Sequence, residues 1–184
     1  MFLTPLEGLV AATLYIPDVT GYPHSKEILE MKATGAHADE YSWVIAEVLR
    51  RRQLDWRPKK VVVIPSSELS SPRAGIEMFA RRVAGRLGAE FTGGLRFIRP
   101  VQSQHKAESR EARYSNLAGS MEMGTGLAGQ SVMIIDDVAT SLATLLEASR
   151  AVSASGAKRV SAAVAGRVCR LDDLADMGVL RRDG

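Results

Sequence analysis

Two adjacent carboxylates, Asp136 and Asp137, follow the apolar residues 132–135 and precede a run of small and hydroxyl residues. The apolar run is typical of a buried strand, and the spacing of apolar residues after Thr144 indicates a helix. The first N–H groups of a helix lack partners and carry partial positive charge, so they bind anions such as phosphate. Carboxylates beside that anion can accept hydrogen bonds from vicinal hydroxyls or from the waters of a hydrated metal ion. A ribose 5-phosphate meets both demands.

Residues 132–144 resemble the phosphoribosyl pyrophosphate signature of type I phosphoribosyltransferases, in which two acidic residues follow a hydrophobic strand and precede a Thr/Ser-rich phosphate loop. The resemblance implies that Asp136 and Asp137 are catalytic and hold the ribose hydroxyls, directly or through water bound to Mg²⁺. It also implies a 5-phosphate site formed by Ala139, Thr140, Ser141, Leu142, Ala143 and Thr144. An ordinary buried strand followed by a capped helix is the alternative interpretation.

Leu142 departs from the family signature, which usually has glycine in the middle of this loop. A leucine does not easily take a positive φ, and it brings a side chain close to the expected phosphate. Leu142 therefore supports an alternative function without turnover.

The 184 residues suggest a single compact domain, and 46% hydrophobic and 24% charged residues are typical of a soluble globular protein. A formal charge of +3 favours anionic small molecules and permits nucleic acid. The single cysteine, Cys169, excludes an intrachain disulfide and a Cys-rich zinc site. The sequence shows neither a signal peptide nor an apolar run that could span a bilayer, which predicts a cytoplasmic protein without a membrane partner.

Strand-like apolar runs alternate with helical periodicities, a pattern that predicts an α/β fold with a parallel sheet covered by helices. A run of three arginines, residues 50–52, is interpreted first as charge at a helix end and second as a nucleic-acid patch. Residues 124–129 fit the formula G-x-G-x-x-G but precede a strand, so a turn is expected. The predicted elements are strands at residues 10–16 and 61–64, a short helix from an N-cap at Ser25 to Gly35, and helices at residues 39–52 and 74–87.

The segment between the strand at 61–64 and the helix at 74–87 is rich in hydroxyl residues and contains one arginine. Ligands of open α/β sheets bind beyond the carboxyl ends of strands, where this segment begins. By resemblance to type I phosphoribosyltransferases, Ser66, Ser67 and Arg73 hold the pyrophosphate. Serines and prolines are also ordinary turn residues, so a purely structural connection is the alternative.

Residues 95–117 are predicted to form a short strand that opens into a long polar loop. The resemblance implies a lid in which Arg99, Lys106 and Arg110 neutralise a developing pyrophosphate and exclude water, with Lys106 catalytic. A solvated loop is the alternative. The segment resembles phosphoribosyltransferases of the competence-protein F type, which are amidophosphoribosyltransferase-like, in the spacing of Arg99, Gln104, Ser109, Arg113 and Asn116.

The similarity extends from about residue 25 to about residue 166. The sequence, with its single cysteine, does not contain the four-cysteine zinc module of many such proteins. It implies a single type I phosphoribosyltransferase domain over residues 1–184, with a small hood built from about residues 1–24 and 167–184. The implied activity is the Mg²⁺-dependent transfer of 5-phosphoribose from phosphoribosyl pyrophosphate to a nitrogenous base or amine by a homodimer. The alternatives are a non-catalytic regulatory or nucleic-acid-associated nucleotide-binding module and a hydrolase of the same sugar phosphate.

Overall fold

The computed structural model describes residues 6–16, 22–52, 57–66, 74–101, 110–140 and 142–169, and of residues 110, 111 and 113 it describes only the backbone. No helix in these ranges is long and apolar enough to cross a membrane. The elements in chain order are β1 (Leu9–Tyr15), α1 (Pro23–Thr34), α2 (Ala38–Arg51), β2 (Lys60–Val63), α3 (Ala74–Leu87), β3 (Glu90–Phe91), β4 (Leu95–Phe97), α4 (Arg110–Leu117), β5 (Met121–Met123), β6 (Ser131–Ala139), α5 (Ala143–Ala154) and β7 (Arg159–Val168).

Five strands form one parallel sheet in the order β1-β7-β6-β2-β3, and β4 pairs with β5 in a separate antiparallel ribbon. The predicted α/β class with a mostly parallel sheet is confirmed. The chain passes from β2 through α3 to β3 on one side of the sheet order, and from β6 through α5 to β7 on the other. The connections therefore diverge between β2 and β6, and α/β sheets bind ligands in the crevice at such a point.

Strand β6 is buried on both faces, which explains its continuous apolar sequence. Successive side chains of a strand point to opposite faces. Met133 and Ile135 belong to a core beneath α1, α2 and α3, whereas Val132 and Ile134 belong to a second core beneath α5. The residues of β6 therefore hold two helical layers against one sheet.

The prediction that Ser25 caps α1 is wrong, because the helix begins at Pro23 with Tyr22 at the N-cap. Proline suits the first helical position, where its fixed φ is helical and its missing N–H costs nothing. The Oγ of Ser25 instead accepts the N–H of Ile16 at 3.0 Å and donates to the carbonyl of Ile16 at 3.1 Å. The predicted end at Gly35 is confirmed by its left-handed φ of 83°.

The termini were predicted to form a small hood, with a strand at residues 10–16. Strand β1, within the predicted amino-terminal part, is an edge strand of the central sheet and pairs with β7. Residues 23–24 of the predicted hood begin α1, and residues 167–168 end β7. Residues 1–5, 17–21 and 170–184 lie outside the described residues.

Helix α4 occupies part of the segment that was predicted to be a polar loop. The guanidinium of Arg99 donates to the carbonyls of Asn116 and Ala118, each at 2.9 Å. The last carbonyls of a helix lack partners within the helix, so a cation there stabilises its carboxyl end. This contact joins two distant parts of the segment, and the periodicity of the sequence does not reveal it.

Helix α5 is attached to β5 by the buried side chain of Glu147, which is 5% exposed. Its carboxylate accepts the N–H of Met121 at 2.9 Å and pairs with Arg150 at 2.7 Å. Arg150 donates in turn to the carbonyl of Met121 at 2.6 Å. Burial raises the pKa of Glu147, but the hydrogen bonds from Arg150 and from the backbone of Met121 and Gly119 outweigh burial and lower that pKa.

We expect E147Q to destabilise the fold by about 1 kcal/mol at pH 7, because glutamine keeps an acceptor but loses the charge. The pKa of Glu147 is lower in the folded protein than in the unfolded chain, where it is near 4.5. Its charge therefore stabilises the fold fully above pH 4.5, and this stabilisation is lost as the pH falls through the pKa of the folded protein. The difference between wild type and E147Q in urea unfolding should therefore shrink below pH 4.5. The control is E77Q, which removes an exposed pair with Arg81. A difference that stays constant with pH would contradict the prediction.

Candidate functional site

The two adjacent carboxylates lie within the carboxyl-terminal part of β6, with Asp136 6% and Asp137 8% exposed. The N–H of Asp137 donates to Oδ1 of Asp136 at 3.0 Å, and the N–H of Val138 donates to Oδ1 of Asp137 at 2.9 Å. Each carboxylate is therefore held by the backbone that directly follows it. Buried carboxylates with fixed orientation suit the recognition of hydroxyl groups.

Asp137 also forms an ion pair that the sequence analysis missed. Its Oδ2 lies 2.8 Å from Nζ of Lys32, which is half-exposed near the end of α1. The only local signal was a basic residue in the last turn of a helix, which is explained equally well by the helix dipole. Only the packing of α1 on the sheet brings this lysine to β6.

The end of β2 lies beside the two carboxylates. Val63, the last residue of β2, pairs with Ile135, and the N–H of Ile64 donates to the carbonyl of Ile135 at 3.0 Å. The chain therefore leaves β2 level with Asp136, just before Pro65 and Ser66. Ser66 is half-buried. The other predicted pyrophosphate ligands, Ser67 and Arg73, lie outside the described residues.

The predicted phosphate loop connects β6 to α5. Leu142 occupies the N-cap of α5 with φ 62° and ψ −5°, and no side-chain hydrogen bond caps the helix there. This is the left-handed conformation that glycine adopts freely and leucine rarely. Part of its side chain packs against the core beneath α5.

The other residues of the loop differ in exposure. Ala139 and Ala143 are buried, Thr144 is half-buried and Thr140 is exposed, whereas Ser141 lies outside the described residues. The N–H groups of the first turn of a helix have no partners within it. The start of α5 therefore has the features of an anion site beside the two carboxylates.

The predicted lid residues are described only in part. Arg99 lies at the carboxyl end of α4, where it donates to the two carbonyls given above. Arg110 begins α4, but its side chain is not described, and Lys106 lies outside the described residues. Their role toward pyrophosphate stays a prediction.

Among the described residues, no group of three or more His, Cys, Asp or Glu side chains is placed to hold a metal ion. Mg²⁺ keeps several waters and is usually bound by one or two carboxylates together with substrate phosphates. Asp136 and Asp137 fit a hydrated Mg²⁺ that is held chiefly by a bound phosphate compound.

The model of the phosphoribosyl transferase domain matches residues 72–176, more than half of the chain. The match includes β6 with both carboxylates, the loop and α5. The chain belongs to this family. Membership in the phosphoribosyl transferase domain family supports phosphoribosyl transfer as the general class of function and leaves the acceptor open. Lys32 and α1 precede the matched range.

Solved structures similar to this family member are distant from it. A purine phosphoribosyltransferase from Pyrococcus horikoshii Ot3 is 16% identical, with 86% of this chain and 93% of that chain covered and a TM-score of 0.41. A hypoxanthine phosphoribosyltransferase from Staphylococcus aureus is 12% identical, with 74% and 75% covered and a TM-score of 0.47. The allosteric regulatory enzyme of purine biosynthesis is 18% identical, with 70% of this chain covered and a TM-score of 0.42. The chain spans 25% of the length of that enzyme. No curated protein matches the chain significantly.

Proposed function

We propose that the chain is a type I phosphoribosyltransferase, nearest to the competence-protein F type, that transfers 5-phosphoribose from phosphoribosyl pyrophosphate to a nitrogenous base or amine. One observation carries the proposal. Two buried carboxylates lie near the carboxyl end of β6, at the divergence between β2 and β6, and the loop after β6 leads into the start of α5. That arrangement places hydrogen-bond acceptors for the ribose hydroxyls beside a site for the 5-phosphate.

In the proposed reaction the bond between C1 of the ribose and the pyrophosphate oxygen breaks, and its electron pair leaves with pyrophosphate. The nitrogen lone pair of the acceptor forms the new bond at C1, and the acceptor gives up a proton if it carries one there. The ribose ring becomes positively charged in the transition state while the leaving group becomes more negative. The work of the protein is therefore to hold the sugar and to neutralise the leaving group.

Each part of the site has a role in that work. Asp136 and Asp137 accept hydrogen bonds from the ribose hydroxyls, and the loop from Ala139 to Thr144 holds the 5-phosphate. Mg²⁺, when bound with the donor, supplies positive charge against the pyrophosphate oxygens. The pyrophosphate ligands are Ser66, Ser67 and Arg73, with Arg99, Lys106 and Arg110 closing over them.

Isothermal titration of the chain with phosphoribosyl pyrophosphate, with and without Mg²⁺, tests the proposal. We expect binding that depends on Mg²⁺, followed by pyrophosphate release when purine bases, pyrimidine bases or ammonia are added in turn. Sedimentation of the same sample tests the homodimer that we propose with it. A folded sample that binds no donor in either condition would contradict the function.

A non-catalytic nucleotide-binding module is the second candidate, and the left-handed Leu142 in the phosphate loop favours it. Its proposed link to nucleic acid has less support. Arg50 and Arg51 both hydrogen-bond to Glu47, at 2.7 and 2.8 Å, and these bonds lower the pKa of Glu47 to about 2. Part of the basic cluster is therefore compensated within α2. Salt-sensitive binding of DNA or RNA, without pyrophosphate release, would favour this candidate.

A further inference from the structure

The ion pair between Lys32 and Asp137 differs in its surroundings from other pairs of the same helix. Asp137 has an 11% exposed side chain on β6, and the pair closes at 2.8 Å between two elements far apart in the chain. Lys26, also on α1, pairs with Glu30 of its own helix at 3.6 Å, with both side chains exposed. Lys32 is thus directed at the candidate site, whereas the pair of Lys26 with Glu30 lies on the exposed surface of the helix.

The end of α1 that carries Lys32 is fixed by packing. Met31 is fully buried, and the N–H of Gly35 closes the helix on the carbonyl of Met31 at 2.8 Å. Helix α3 approaches so closely that a Cβ on Gly75 would lie 1.9 Å from the carbonyl oxygen of Met31 and 2.7 Å from that of Lys32. The backbone of Lys32 is therefore held in place before any ligand arrives, which lowers the cost of directing its side chain.

Asp137 is held through both of its oxygens. Oδ1 accepts a hydrogen bond from the N–H of Val138, and Oδ2 forms the ion pair with the ammonium group of Lys32. Asp136 is the neighbouring buried carboxylate, so two like charges are adjacent in the strand. A donor with several phosphate charges is repelled by such a pair, and a lysine beside one member offsets part of that repulsion.

We propose that Lys32 is a positioning residue for donor binding: it orients Asp137 toward the ribose hydroxyls and offsets its charge against the phosphates of the donor. This inference rests on the proposed function. It adds a residue from α1, outside the matched domain range, to the site.

The test is titration of phosphoribosyl pyrophosphate with Mg²⁺ into wild type, K32Q, K32R and K26Q. We expect K32Q to bind the donor about fivefold more weakly, because it removes the charge that holds Asp137. The loss is no larger because the side chain of Lys32 is half-exposed and solvent weakens its ion pair. K32R should recover most of the affinity, since arginine keeps the charge. K26Q removes a lysine charge from the same helix and should bind like wild type.

A second set of titrations separates positioning from direct contact with the donor. If Lys32 acts through Asp137, K32Q should have no further effect in a D137N background. An equal loss in that background would mean that Lys32 contacts the donor itself, and it would overturn the positioning role. A lower melting temperature of K32Q with unchanged affinity would overturn it too, because the pair would then be purely structural.

The two proposals fail in different ways. If wild type binds the donor and K32Q binds it equally well, only the inference about Lys32 falls. If folded wild type binds no donor, the proposed function and the inference fall together.

Discussion

Replacement of both carboxylates, D136N together with D137N, is expected to weaken binding of phosphoribosyl pyrophosphate about a hundredfold or more. Hydrogen bonds to a charged group contribute roughly 1.5–3 kcal/mol each, and asparagine keeps the shape but loses the charge. Asparagine can still accept the N–H groups of Asp137 and Val138 through its oxygen, so the local strand geometry should survive. Isothermal titration with Mg²⁺ measures the loss, and circular dichroism checks the fold.

The single variants and one control make this result interpretable. D136N leaves the ion pair between Lys32 and Asp137 in place, whereas D137N removes its charge, so we expect D137N to lose more affinity than D136N. D39N removes an exposed carboxylate on α2 that pairs with Arg86, and it should bind the donor normally. Unchanged affinity in the double variant would sink the assignment of the site.

Replacement of Leu142 by glycine is expected to strengthen donor binding about tenfold. A left-handed conformation costs a non-glycine residue roughly 1–2 kcal/mol. We expect the bound loop to require φ near the observed 62°. Leucine lowers the fraction of the free protein in which the loop has that conformation, and the apparent affinity falls in proportion to that fraction. Titration of L142G with phosphoribosyl pyrophosphate measures the change.

L142A is the matched control, because alanine shortens the side chain but keeps the Cβ and the unfavourable φ. A gain in L142G that L142A lacks assigns the effect to the backbone, and an equal gain in both assigns it to the leucine side chain. If L142G binds a donor that wild type does not bind, the second candidate function is favoured. Equal, measurable affinity in wild type and L142G would show that Leu142 does not limit binding.

The elements that carry the site could be predicted from short-range patterns. Helix α3 has the predicted bounds, and the apolar run at residues 132–135 lies in a strand buried on both faces. The G-x-G-x-x-G at residues 124–129 lies between β5 and β6, as expected of a turn. These results follow because periodicity, β-branching and glycine content act within a few residues of the chain.

The sequence was less informative where a contact between distant residues decided the outcome. Ser25 has the chemistry of an N-cap, but the approach of Ile16 gives its hydroxyl another partner. The carboxyl end of α4 is stabilised by Arg99, which lies well before it in the chain. A residue type indicates what a side chain can bond to, and the fold decides which partner comes within reach.

By itself the sequence determined the α/β alternation, the buried apolar run that two carboxylates follow, the family of the chain and the unusual leucine in the phosphate loop. Those features depend on residue type and local spacing. Only the tertiary structure placed β2 beside β6, gave Leu142 its left-handed φ and brought Lys32 to Asp137. The reason is physical: the close approach of α3 at Gly75 fixes the end of α1, and the sum of such packing contacts, rather than any local pattern, decides which distant charges meet.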